Sequence, residues 1–412
     1  MTADGAAGAV GSVPGPVAST AQQAAPSRLE LFRVFFGIGL TSFGMAILQN
    51  IRSIPVKRGW LSRAEIDEGL GLVQLYPGAV MVDLVAYIGY RTARVSGAVA
   101  AAAGFVAPSL ALMLALSWLY ETFGAVPGVE RLVVGLDALV VGVVASVAVD
   151  FARQHSSGRV AALLGLAAFA VGVAGANLLW AVLAGLAVGA LLLRSDPVGS
   201  MSVADDPSFD RLRFGRSLVP GLVVAAGVAV AALGSGVMSS LALDMAKIGA
   251  IAFGNGSTIL PILQQDVVDS RHWLSLPLFG VAIGFGQVTP GPFLITAAFV
   301  GYHVAGPWGG VLATVAIFAP SVAMTTVAAE IYPYLRRHAW VKGAIAGVMA
   351  VFVGLLATVV LSLGRQVLPD PAALVLAAAA FVTVRVFKAN LIAVFGAGLA
   401  AWAAYLLLAG VR

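Results

Sequence analysis

Long apolar runs separated by short polar turns recur from Leu31 to Leu408. Each is close to the roughly 20 residues that a helix needs to cross about 30 Å of hydrocarbon. The pattern predicts spans at 31–51, 64–91, 97–121, 130–151, 159–176 and 178–193, then at 217–235, 241–262, 276–303, 307–330, 341–364, 371–387 and 390–410. That makes 13 crossings of an all-α polytopic membrane protein. Between the two sets lies a polar linker from Arg194 to Arg216. Two runs are interrupted where a helix should continue, at Gln74-Leu75-Tyr76-Pro77-Gly78 and at Gln287-Val288-Thr289-Pro290-Gly291-Pro292. Proline deletes a backbone hydrogen bond and clashes with the preceding turn, and glycine disfavours helix by about 1 kcal/mol relative to alanine. Within a bilayer the freed backbone groups are tolerated only where protein or a water-filled cavity satisfies them, so both breaks are expected to line something.

Composition narrows the class. The 412 residues are 60% apolar and 10% charged with a mean hydropathy of +0.97, whereas soluble chains carry about a quarter charged residues. A β-barrel would show short alternating segments instead. Residues 1–28, rich in Ala, Gly, Pro and Ser, lack a basic region followed by a compact apolar core, and read as a disordered tail, not a cleaved signal. The absence of cysteine removes disulfides and thiolate metal sites, and the four histidines are too dispersed to suggest a metal centre. A pI near 9.7 would suit nucleic acid, but topology explains the basic residues better. With the N-terminus in the cytoplasm, 16 of the 24 Lys and Arg fall on the inside and 7 outside, Lys247 being within a span. Treating the two broken segments as re-entrant hairpins reverses the balance to 8 inside against 15 outside, so both are read as crossings.

The chain also repeats itself. Ile38-Gly39 and Phe43-Gly44 return as Ile248-Gly249 and Phe253-Gly254, Trp60-Leu61-Ser62 as Trp273-Leu274-Ser275, and Gln74 with Pro77-Gly78 as Gln287 with Pro290-Gly291. Gly89-Tyr90, Gly97 and Pro108-Ser109 return as Gly301-Tyr302, Gly309 and Pro320-Ser321, all at offsets of 210 to 213 residues. Gly135 and Gly142 likewise match Gly347 and Gly354, positions that read as close helix packing. The expected organisation is therefore a first repeat at 29–193 and a second at 217–412, the latter carrying an extra helix at 217–235. Seven crossings separate the two starts, and an odd number inverts the second unit. Inverted repeats with broken helices are the build of many secondary transporters, whose substrate lies near the midplane.

The order FG, WLS, Q-x-x-PG, GY and PS, present twice, resembles the chromate ion transporter family in its long two-domain form, over roughly residues 31–364. The resemblance implies export of chromate across the bacterial inner membrane, with sulfate as a similar tetrahedral dianion. Its glycine-rich motif falls on Phe43-Gly44 and on Phe253-Gly254-Asn255-Gly256, and its PGP motif on Pro290-Gly291-Pro292. The chain departs from that pattern at Met45, Ala79 and Asn255.

These residues suggest a chemistry. A helix restarting after Pro-Gly presents unpaired N–H groups and its positive dipole end, which suits an anion. Pro292 is expected at the first helical position, where its missing N–H costs nothing. The candidate oxyanion site comprises Gly44, Gln74, Pro77, Gly78, Lys247, Gly254, Asn255, Gln287, Thr289, Pro290, Gly291 and Pro292, with Tyr76 nearby. Lys247 reads either as a cation attracting the oxyanion or as the partner of Asp244 near the membrane face. Asp83 and Asp137 have no acidic counterparts in the other repeat and are candidates for a coupling proton; the other readings of Asp83, which follows a predicted helix N-terminus, are that it caps that end or occupies the anion site when empty. Trp60 and Trp273 are expected at the membrane interface.

The expected partners are a chromate- or sulfate-like oxyanion and the lipid bilayer. Neither nucleic acid nor a cofactor is expected, and a homodimer is compatible with the pattern. A sulfate or other anion importer or exchanger is the alternative. An integral-membrane enzyme would want clustered carboxylates or a His-Glu metal motif in the spans, and the Asp205-Asp206 pair lies in the linker instead.

Overall fold

A computed structural model describes residues 26–42, 45–124, 126, 128–193, 210–254, 256–335, 339–367 and 369–409. The expected tail to residue 25, the linker from 194 to 209, Gly44 and Asn255 lie outside these residues. The described chain is helical throughout, with no strand among the described residues. Among the described residues six helices are long and apolar enough to cross a membrane, and the protein is a polytopic helical membrane protein.

Local signals in the sequence account for many of the helix starts. Ser27 opens α1 (Arg28–Thr41), its hydroxyl accepting from the Glu30 N–H. After α2 (Met45–Lys57), Ser62 and Glu65 form a reciprocal capping box at the start of α3 (Arg63–Leu72). The repeated Trp-Leu-Ser thus acquires a physical role, because Ser275 caps the corresponding helix of the second half. Arg58 lies over the Trp60 ring and Arg271 over the Trp273 ring, each at 5.5 Å.

α4 (Val80–Phe123) is not one rod. At Ala93 (φ −141°, ψ 27°) and Arg94 (φ 57°, ψ −151°) it reverses, and Gly89 and Gly97 come into backbone contact. Residues eight apart on an unbroken helix would stand about 12 Å apart. This agrees with the separate spans expected at 64–91 and 97–121. The same dihedrals recur in α13 (Thr296–Leu335) at Ala305 (φ −148°, ψ 29°) and Gly306 (φ 66°, ψ −161°), where Gly301 meets Gly309.

The rest of the first half is α5 (Val129–His155), α6 (Arg159–Val173) and α7 (Leu178–Leu192). α8 (Arg211–Ser217) leads into α9 (Val219–Leu233), which has no buried residue and occupies the expected extra span. α10 (Val237–Ile251), a turn at Ser257–Ile259, α11 (Leu260–Gln264), α12 (Leu276–Val288), α14 (Ala339–Val367), α15 (Pro371–Arg385) and α16 (Leu391–Leu408) complete the second half. Two expected single spans, 31–51 and 241–262, are each divided: α1 ends before an extended Ser42, and α10 ends before an extended Ala252.

The halves interlock. Gly142 of α5 packs on the backbone of α15 at Ala377, and Gly354 of α14 packs on the backbone of α6 at Gly165. Gly135 lies against Trp402 of α16, and Gly347 against Gly185 and Gly189 of α7. Each central helix therefore packs on the peripheral pair of the other half.

Candidate functional site

Four backbone interruptions, two in each half, lie among the described residues at Ser42, at 73–79, at 252–254 and at 289–292. Hydrogen bonds cross between the halves at these places. The Gly78 N–H donates to the Ala252 carbonyl at 2.5 Å, and the Ala79 N–H donates to Ser321 Oγ at 2.9 Å. In the other direction, Ser109 Oγ donates to the Pro290 carbonyl at 2.6 Å. The Pro-Gly break of each half is thus held by the Pro-Ser of the other. Gly291 requires its residue type: its φ is +107°, and a Cβ there would collide with the Ser109 hydroxyl.

Each contact thus holds a helix beginning of one half on the reversed helix of the other: that of α4 at Val80 beside Ser321 of α13, and that of the turn Phe293–Ile295, which leads into α13, beside Ser109 of α4. A first helical turn leaves its N–H groups without intrahelical partners, with the positive end of the dipole toward the break. Pro292 stands at the N-cap (φ −77°, ψ 133°), one residue before the expected first helical position, because the chain stays extended until Phe293.

The expected residues fare differently. Pro77, Gly78, Pro290, Gly291 and Pro292 are at the breaks and Gly254 (φ +73°) is at the end of α10. Thr289 is buried and its hydroxyl donates to the Phe285 carbonyl at 2.7 Å. Gln74 is exposed and Gln287 half-buried, and neither side-chain amide has a hydrogen-bond partner among the described residues. Lys247 Nζ is 2.6 Å from Asp266 and 3.7 Å from Asp244, whose other oxygen accepts from Arg271 Nε at 2.7 Å. Of its two sequence readings, the structure has the carboxylate pair, enlarged by Asp266. The first half carries a related pair, Arg58 with Glu30 at 3.1 Å.

Asp83 is fully buried in the first turn of α4, its carboxylate folded back against Gly78. Oδ1 accepts from Thr325 Oγ1 at 3.3 Å, and Oδ2 has no hydrogen-bond partner. Thr325 Oγ1 is also 2.7 Å from the Tyr76 hydroxyl and 2.8 Å from the Ser321 carbonyl. Asp137 is set apart from this group. It lies on α5 against Gly280 of α12, with Oδ1 unpartnered.

In the sequence Ser109 and Ser321 stand out only as repeat markers, their recurrence being the one available signal of a role. Nothing in the sequence singled out Thr325. Among the described residues no cluster of three or more His, Asp or Glu could hold a metal ion.

Comparison with known proteins identifies the family. The model of the family described as "Chromate transporter" matches residues 29–190 and again residues 239–403. The chain is 29% identical over 355 residues to a chromate transport protein of Cupriavidus metallidurans, covering 83% of this chain and 84% of that protein. It is 30% identical over 361 residues to a probable chromate transport protein of Synechococcus elongatus, covering 83% and 86%. With a chromate transport protein of Pseudomonas aeruginosa it shares 28% identity over 404 residues, covering 90% and 91%. No solved structure matches the chain. The twofold family match, covering most of the chain and both sets of broken helices, makes this protein a member of the chromate transporter family.

Proposed function

We propose that this protein carries chromate out of the cytoplasm across the bacterial inner membrane, using the two Pro-Gly helix beginnings as its oxyanion site. The supporting observation is the reciprocal clamp, Ala79 to Ser321 and Ser109 to Pro290, which holds one helix start from each half against the other half. Unpaired N–H groups and dipole ends from two sides suit a tetrahedral dianion, and the unpartnered amides of Gln74 and Gln287 add neutral donors. Chromate as cargo is supported by relatives whose names say chromate transport.

In this reading the N-terminus is cytoplasmic and the halves at 29–193 and 217–412 are inserted in opposite orientations. The matched reversals in α4 and α13 favour such a pairing. An interior-negative potential drives a dianion outward by roughly 4.6 kcal/mol per 100 mV, the product of two charges and the single-charge value. The second reading is a sulfate or other anion importer or exchanger, favoured by the same donors, since backbone N–H groups and amides distinguish chromate from sulfate only weakly.

The test is uptake of labelled chromate and sulfate into inverted vesicles holding the purified protein, with a potential imposed and no pH gradient. Potential-driven chromate accumulation, reduced at least tenfold in Gln287→Ala and Gly291→Ala, is the expected result. Sulfate flux without chromate movement would favour the second reading, and unchanged flux in both variants would remove the site.

A further inference from the structure

We propose that Asp83 is a resident occupant of the anion position at the first Pro-Gly break, and that it takes up one proton each time an oxyanion enters, so that proton and oxyanion cross together. This rests on the oxyanion-transport reading and adds how the site is coupled.

The placement is the first observation. Asp83 is in the opening turn of α4, completely buried, and its Oδ2 lies where a Cβ of Gly78 would stand. A carboxylate oxygen with no hydrogen-bond partner is therefore aimed into the same helix beginning that would receive an oxyanion. The groups that face it are Tyr76 from the 73–79 turn and Ser321 and Thr325 from α13. None is cationic, and no Lys, Arg or His forms an ion pair with Asp83 among the described residues. In the second half, the residue 213 positions later is Thr296, whose hydroxyl donates to the Phe293 carbonyl at 3.0 Å. One helix beginning holds a built-in anion and the other does not.

Thr325 links the two protonation states of Asp83. Thr325 Oγ1 has one hydrogen and two lone pairs, yet three oxygens surround it: Tyr76 Oη, the Ser321 carbonyl and Asp83 Oδ1. If Asp83 is ionised, the Thr325 hydrogen turns to Oδ1 and the Tyr76 hydroxyl donates to Thr325. If Asp83 is protonated, the Thr325 hydrogen turns to the Ser321 carbonyl, and both Tyr76 and Asp83 donate to Thr325. Both protonation states are fully hydrogen-bonded at Oδ1, and a rotation of one hydroxyl separates them.

Coupling follows from charge. A dianion brought beside an ionised Asp83 in a water-poor site is strongly repelled, so its entry favours the protonated form. The proton binds a carboxylate oxygen of Asp83 as the oxyanion enters and leaves as the oxyanion departs. The net charge moved is then one negative charge, which the membrane potential still drives outward.

The experiment uses the full chain reconstituted in liposomes, with the potential clamped, labelled chromate and sulfate as probes and an internal pH dye. In the wild type, one proton should accompany each oxyanion, and flux should fall by up to tenfold per pH unit once the medium is alkaline enough to leave Asp83 ionised. Asp83→Asn should abolish the proton signal, and the flux that remains should no longer vary with pH. Thr325→Val keeps the carboxylate but removes its donor, and should move the midpoint of the pH profile upward, so the proposal does not depend on Asp83→Asn folding. Oxyanion flux without proton movement in the wild type, or an unshifted profile in Thr325→Val, would overturn the coupling while leaving transport intact. No flux of either probe in the wild type would overturn the transport reading and the coupling with it.

Discussion

Gly291 and Gly306 both sit at positive φ, +107° and +66°, but their surroundings differ. A Cβ on Gly291 would strike Ser109 Oγ, whereas Gly306 has open space. Gly291→Ala should therefore carry a collision as well as backbone strain and lower stability by roughly 3 kcal/mol, against about 1 kcal/mol for Gly306→Ala. Thermal unfolding of the detergent-purified protein checks this, and equal losses would argue against the Ser109 contact. At Lys247 the sequence left two readings open, and the structure pairs the ammonium with the carboxylates of Asp266 and Asp244. Lys247→Met should leave the chromate concentration giving half-maximal flux within about twofold and should instead lower thermal stability, because two partly buried carboxylates lose a cation. A tenfold or larger loss of apparent affinity would restore the anion-binding role.

At the scale of the elements, the reversals in α4 and α13 depend on close backbone approach between paired glycines. Gly89 against Gly97 and Gly301 against Gly309 leave no room for a side chain. Gly301→Leu should force the two arms of α13 apart and cost several kcal/mol, the scale of overpacking combined with backbone displacement. Loss of monodisperse protein on size-exclusion chromatography would be the expected sign, and a well-behaved, active variant would contradict the packing. The breaks at 73–79 and 289–292 were legible because Pro and Gly interrupt apolar runs. Those after Thr41 and Ile251 were less so, since Phe-Gly alone does not stop a helix and only the extended backbone of Ser42 and Ala252 shows where the chain turns aside.

For the whole molecule, each half supplies surfaces that the other needs. α5 packs on α15 and α16, while α14 packs on α6 and α7. The Tyr90 hydroxyl donates to Glu330 at 2.6 Å across the same divide. Residues 1–193 and 194–412 expressed separately should each fail to accumulate as folded protein, and co-expression should restore an assembled, transport-competent pair. A stable single half would mean that the interlocking contacts contribute little. The absence of cysteine makes the full chain suitable for labelling at introduced sites, should the relative motion of the halves be followed.

The sequence by itself determined that the chain is a helical membrane protein, that its motifs occur twice, and where two of its helices break. Apolar runs of membrane length, and Pro-Gly within them, are local properties that need no partner to be read. Tertiary structure alone decided which half clamps which break, that Lys247 is held by Asp266, and that Asp83 meets Thr325. Those contacts join residues as many as 242 positions apart, and no local periodicity records them. The serines show the boundary best. Their recurrence is visible in the sequence, but only the folded chain sets Ser109 on Pro290 and Ser321 on Ala79, because the hydrogen bonds that give them a role form between the two halves.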